Sequence, residues 1–281
     1  MKRMIYSTGM AAMLAVVMIG CQKSSSDKAD ATALSADERN LIQTAGFNGN
    51  WAEKTSEGDY LIEGDILLTK AQLDELAVTA PAHELVVAGE EHYRTTNVVS
   101  TPGTSQRTIT VRLGSGFPSY YSTGLDQALA RYNALNLRIR FQRVTSGGNI
   151  VITGRNLGTS GGGCILGQAS GFPTASGNPS SCFTLSTSSC ATTYLNTANK
   201  VDEVIAHEIG HCIGFRHTDY MNRQYSCGGS FYNEGTAGVG AVHIPGTPTA
   251  ADPNSWMLAC IGNGVNRPFN ANDVTALNYL Y

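Results

Sequence analysis

The sequence is poor in charge. Asp, Glu, Lys and Arg make up 15% of its 281 residues, so neither a coiled coil nor a charge-rich disordered chain fits. It has no basic excess. The formal net charge is −3, which argues against a nucleic-acid partner. It has no CxxC pair, the spacing that structural zinc sites favour, and no internal repeat. After Cys21 the next cysteine is Cys164, so the front of the chain has no thiol. Its long apolar run, MAAMLAVVMIG ending at Gly20, has signal-peptide length and falls short of a good membrane span.

What is present at the N-terminus has the marks of export. Lys2 and Arg3 form a positive start to the apolar run. Met18-Ile19-Gly20-Cys21 resembles the box of bacterial lipoproteins, with methionine where leucine is usual. Residues 1–21 are therefore expected to be a lipoprotein-type signal peptide ending at the lipidated Cys21. A small, polar, flexible tether follows over 22–40. This reading puts the chain outside a bacterial cell, held to the membrane or cell surface by lipid, with release after processing as a further outcome. An ordinary cleaved signal peptide is the alternative.

Six further cysteines, Cys164, Cys182, Cys190, Cys212, Cys227 and Cys260, lie in the rear half. In an exported domain an even number suggests three disulfides, and the many pairings that six cysteines allow stay open. Charge is also uneven. Residues 22–94 hold six basic against fourteen acidic side chains, and residues 95–281 hold eleven against eight. Two segments of opposite charge attract.

The length suits one large domain or two smaller ones. Residues 36–50 and 69–80 read as helices, the second capped by Thr69. Between them DYLIEGDILLT is extended and interrupted at Gly64. Residues 81–106 read as a linker. From Thr108 the periods are clear. TITVRL is a strand, TGLDQALARYNAL a helix, LRIRFQRV and NIVITGR two more strands. Residues 198–213 are a helix, 218–268 are irregular, and NANDVTALNYLY is a closing helix capped by Asn270 or Asn272. The result is a mixed sheet packed on helices. His83, His92 and His243 have no partner pattern and read as surface or loop histidines.

The chemistry sits in HEIGHCIGFRHTD, residues 207–219. On a helix His207 and His211 stand about 40° apart, one turn up the same face. Two imidazoles so placed can share a zinc ion. Glu208 beside them can take a proton from water and return it to a leaving amine. His217 would face away on a continued helix, at about 240°. It meets the other two only if the chain turns sharply, and Gly214 stands where a left-handed residue ends a helix at low cost.

The segment His207-Glu208-x-x-His211-x-x-Gly214-x-x-His217 resembles the zinc signature of the metzincin metalloendopeptidases, and its HEIGH lettering resembles their bacterial HEIGH members. The resemblance implies an α+β catalytic domain over 95–281. It would have a twisted mixed sheet, a long active-site helix, an irregular C-terminal subdomain with a Met-turn, and a terminal helix. One catalytic Zn2+ would be held by His207, His211 and His217, with Glu208 as the base. Asn254-Ser255-Trp256-Met257 is the Met-turn candidate, with Met257 as its thioether. Thr218 and Ala259 depart from the astacin pattern, so no tyrosine two residues after Met257 can touch the metal. Tyr220, Tyr225 and Tyr232 stay open for that role.

Ile62-Glu63-Gly64-Asp65-Ile66 resembles the aspartate switch of astacin proenzymes. It implies an inhibitory pro-segment over 41–94 whose Asp65 ligates zinc until a partner protease cuts between the segments, at Arg94 or Arg107. The expected function is an exported zymogen of a zinc endopeptidase acting on proteins or peptides. The alternatives are an inactive zinc-binding surface protein, such as an adhesin or inhibitor, and a zinc amidase acting on cell wall.

Overall fold

A computed structural model describes residues 33–79, 92–160, 162–235, 239–248, 251–262 and 265–281. The expected signal peptide, the lipid site Cys21, most of the tether and His83 lie outside the described residues.

In chain order the front of the protein runs α1 (Ala36–Thr44), a short 3-10 turn, β1 (Ala52–Lys54), β2 (Tyr60–Ile62), β3 (Ile66–Leu68) and α2 (Lys70–Thr79). β4 (Tyr93–Arg94) leads to β5 (Arg107–Leu113), α3 (Ser119–Asn133), β6 (Ile139–Val144) and β7 (Ile150–Arg155). Short strands β8 (Thr159–Ser160), β9 (Gly163–Cys164) and β10 (Gly167–Ala169) precede β11 (Cys182–Ser186), α4 (Ser189–Tyr194) and α5 (Ala198–Ile213). A single turn, α6 (Gln224–Cys227), then β12 (Val242–His243) and α7 (Ala271–Leu280) close the chain.

Local chemistry explains the ends of these helices. Ser35 caps α1 and Glu38 returns the bond to the Ser35 amide, a capping box. Thr69 and Gln72 do the same for α2. Thr197 caps α5 at the Lys200 amide. Asn270, rather than Asn272, caps α7, with Asp273 completing the box.

Eight strands form one mixed sheet in the order β1-β2-β3-β10-β11-β7-β5-β6. β5, β6, β7 and β11 run parallel to their neighbours within that group, β10 is antiparallel to β11, and β3 joins β10 in parallel at Ala169 and Ile66. The front hairpin therefore adds three antiparallel strands to the sheet of the rear segment. One core fills the space between the sheet and α3, α5 and α7, with Leu125, Leu129, Ile152, Phe183, Ile205, Ile209 and Leu277 among its buried residues. A second core, Ile42, Phe47, Tyr60, Ile62, Ile66 and Leu73, belongs to the front segment, and Val239 and Phe172 from the rear close it.

The charge asymmetry is realised at this junction. Arg155 pairs with Glu57 and Asp59, and Arg216 pairs with Glu63. The boundary between residues 94 and 95 lies in hydrogen-bonded backbone. β4 pairs with β12, the Arg216 amide donates to the Tyr93 carbonyl, and the Thr95 amide donates to the Gly214 carbonyl.

Cys164–Cys190 and Cys227–Cys260 are disulfides, whereas Cys182 and Cys212 carry thiols. Two of the three expected bridges are thus formed. Cys182 directs its sulfur to the Ser170 hydroxyl, 3.0 Å away, while Cys212 is buried in the main core. Of the reading of His92 as a surface or loop histidine, the surface half is overturned. His92 is fully buried just before β4, with Nε2 2.7 Å from Asp273 Oδ1, and so ties that segment to α7. His243 is half-buried in β12 and meets the Thr247 hydroxyl at 3.1 Å.

The placement of α5 depends on α3, which crosses it closely at Gly124. A methyl group there would stand 2.7 Å from Val201 Cγ1 and 2.8 Å from the Ala198 carbonyl. Gly124→Ala is expected to lower stability by about 1–3 kcal/mol, read as a fall in the urea midpoint; an unchanged midpoint would mean that the crossing tolerates the methyl.

Candidate metal centre

α5 ends where the sequence requires. Gly214 is left-handed, with φ 112°, and its amide bonds back to the Gly210 and His211 carbonyls. The chain then reverses and brings His217 to the face that carries His207 and His211. The ring centroids lie 4.8 Å apart for His207–His211, 4.8 Å for His211–His217 and 5.4 Å for His207–His217.

Each imidazole has its Nδ1 against an oxygen that can only accept. His207 Nδ1 is 2.9 Å from the Trp256 carbonyl, His211 Nδ1 is 2.8 Å from the Phe215 carbonyl, and His217 Nδ1 is 2.6 Å from Glu234 Oε1. Each Nδ1 must therefore carry the hydrogen, which leaves Nε2 as the metal-facing atom. His207 Nε2 and His211 Nε2 approach to 3.1 Å. Asp65 completes the cluster from the tip of the β2–β3 hairpin. Its Oδ2 is 3.5 Å from His211 Nε2, 3.9 Å from His207 Nε2 and in closer contact with His217 Nε2. The four ligand atoms lie within 4.8 Å of one another.

The donor set fits zinc. Three imidazole nitrogens and a carboxylate oxygen match its preference for four N, S or O ligands. Both Asp65 carboxylate oxygens and His217 Nε2 are buried without a hydrogen bond, although Asp65 Oδ2 and His217 Nε2 are in ion-pair range. Close approach without hydrogen-bond alignment is what atoms aimed at a shared ion show.

Electrostatics agree. Burial pushes His211 down to about 4, so it is neutral at ordinary pH, as a ligand must be. Burial also acts downward on His217, but Asp65 and Glu234 outweigh it and raise it to about 10. Positive charge therefore belongs between these carboxylates, and a metal ion can take the place of that proton.

Glu208 is buried beside the cluster, against Gly167 of β10. Burial, then the Asp65 charge, raises its pKa well above the carboxylate range. Gly167 makes room for it, since a methyl group there would collide with Glu208 Oε1 and lie 2.9 Å from Cδ. Met257 is fully buried with its sulfur packed against Gly210 of α5. Its turn is held by the Met257 carbonyl accepting from Thr218, by Asp219 accepting from the Ala259 amide, and by Asp273 accepting from the Trp256 amide.

His207, His211, His217, Glu208, Asp65, Gly214 and Met257 are thus together. Tyr220 packs edge-on against Tyr93, the exposed Tyr225 donates to the Ala251 carbonyl, and Tyr232 lies against Arg223. Sequence reasoning missed Glu234, Glu63, Arg216 and Gly167. Glu63 was signalled by its place two residues before Asp65. Glu234 lies in the irregular region and Gly167 among many glycines, so neither had a period or motif to mark it.

A family model described as "Dual-action HEIGH metallo-peptidase" matches residues 60–281. No curated protein matches the chain.

Gly210→Ala drives a methyl group into the Met257 sulfur and within 3.3 Å of Trp256 Nε1. It is expected to cost about 1–3 kcal/mol, seen as a lower thermal midpoint; a midpoint equal to wild type would show that the Met257 packing is loose.

Proposed function

The chain belongs to the HEIGH metallopeptidase family and is a zinc metallopeptidase, and from that premise we propose that it is an endopeptidase made in a latent form. The observation that carries this reading is the meeting of Asp65 Oδ2 with the three histidine Nε2 atoms, next to the buried Glu208.

In the proposed active form His207, His211 and His217 hold one zinc ion. Bound there, zinc supplies a Lewis acid that polarises the scissile carbonyl and lowers the pKa of water. Glu208 accepts a proton from that water and delivers it to the leaving amine. β10 offers its edge to an extended peptide, which pairs with it by backbone hydrogen bonds. The substrate is accordingly a protein or peptide.

In the latent form the hairpin blocks each of these steps. Asp65 Oδ2 stands among the three histidines, where it would exclude water from an ion held there. β3 occupies the edge of β10 at Ile66. The Asp65 charge, added to burial, keeps Glu208 a poor base. Docking is supported by Glu63, buried against Arg216 at 3.0 Å.

Activation requires the hairpin to leave, and we assign this to cleavage by another protease. Tyr93 and Arg94 are bonded into the body and Arg107 opens β5. A cut that frees the hairpin and keeps the body whole therefore falls upstream of Tyr93. Export and lipid attachment at Cys21 complete the proposal, and mass spectrometry of the processed protein reads both.

Two expectations follow. Asp65→Ala should show casein or gelatin digestion without processing; wild-type latency in that variant would sink the switch. In the processed enzyme Glu208→Gln should lose about 10²–10⁴-fold in turnover with zinc retained, measured by peptide hydrolysis and metal analysis. Undiminished hydrolysis would remove Glu208 from the mechanism.

A further inference from the structure

His207 and His211 ride on α5, and their rings are held by neutral backbone carbonyls. His217 lies three residues beyond the helix-ending Gly214, where the chain is irregular. Its Nδ1 meets a carboxylate instead, Glu234 Oε1 at 2.6 Å. Glu234 is fully buried and sits on a segment whose own path is set by its amide donating to the Tyr220 carbonyl at 2.8 Å.

A buried carboxylate needs compensation. Arg223 gives it at 3.2 Å from Oε1, and Arg216 gives it at 3.2 Å from Oε2. Arg216 is itself anchored by the Gly235 and Gly240 carbonyls. A residue bound on both carboxylate oxygens to cations fixed in the core has little freedom. The ring that it holds inherits that restriction.

We propose that Glu234 is a positioning residue for the metal centre, fixing the His217 ring with Nδ1 protonated and Nε2 turned to the ion. This rests on the reading of His217 as a zinc ligand. A charged acceptor behind an imidazole orients it and strengthens its donation to a metal, and loss of such a partner costs about 10- to 100-fold in metal affinity. Glu234 thus does for His217 what the Trp256 and Phe215 carbonyls do for His207 and His211. Glu63, the other carboxylate on Arg216, touches none of the three histidines by hydrogen bond or ion pair, which makes it the natural comparison.

The test uses the full chain. Zinc affinity is measured by chelator competition, and the cobalt-substituted protein is read by its visible absorption, for wild type, Glu234→Gln, Glu63→Gln and His217→Ala. Glutamine keeps the size and an acceptor oxygen and removes the charge. Glu234→Gln should bind zinc about 10- to 100-fold more weakly and shift the cobalt bands. Glu63→Gln, which touches no histidine, should weaken zinc binding less than Glu234→Gln does and leave the cobalt bands nearer wild type. Equal effects of the two variants, or an unchanged affinity and spectrum in Glu234→Gln, would overturn the proposal. If the single variant does not fold, the charge-balanced Glu234→Gln with Arg223→Gln is read in the same way. Stoichiometric, undiminished zinc in His217→Ala would overturn the ligand reading itself, a result distinct from failure of Glu234 alone.

Discussion

Three imidazoles can meet at one point only because α5 stops at Gly214. The left-handed residue there turns the chain back on itself, and a residue with a Cβ would be strained in that conformation. A Cβ would also stand 3.1 Å from the Thr95 hydroxyl and 3.2 Å from the Asn97 carbonyl. Everything that follows uses this reversal. Phe215 offers its carbonyl to His211, Arg216 enters the core to meet Glu63 and Glu234, and His217 reaches the ion position. The turn is sealed from outside by Thr95, whose amide and hydroxyl both donate to the Gly214 carbonyl.

The second constraint is charge burial. Glu63, Asp65, Glu234, Arg216, Arg223 and His217 form one water-poor group in which most atoms have an ionic partner. Such a group is stable only when complete, because removing one member leaves an uncompensated buried charge. The hairpin supplies two of its carboxylates from a turn in which Glu63 and Gly64 both have positive φ, 56° and 80°. A non-glycine residue in that region costs about 1–3 kcal/mol, which the Glu63–Arg216 pair helps to offset. Docking of the hairpin and the geometry of the metal centre are therefore linked through Arg216, which touches a carboxylate of each.

Much of this was legible from residue spacing. The active-site helix over 198–213, the strands opening at Arg107, Ile139 and Ile150, and the break at Gly64 follow from local period and from glycine. The zinc-facing histidines followed from helical geometry plus one turn, and Asp65 from a likeness to a known switch. What escaped was non-local. The partner of His92 is 181 residues away, so its burial left no mark in the neighbouring sequence. Glu234 reaches His217 from a stretch without period, and Gly167 matters only because Glu208 leans on it. Cys182 and Cys212 counted toward an even number, although they stay thiols, with the Cys212 sulfur 4.0 Å from the Cys182 carbonyl and the Cys182 sulfur on the Ser170 hydroxyl.

X-ray absorption at the zinc edge of the unprocessed, zinc-loaded protein tests the central claim most directly. It should show three imidazole nitrogens at about 2.0–2.1 Å and one carboxylate oxygen at about 2.0–2.2 Å, with no sulfur. Fewer than three imidazoles, or a thiolate at about 2.3 Å, would contradict a site built from His207, His211, His217 and Asp65.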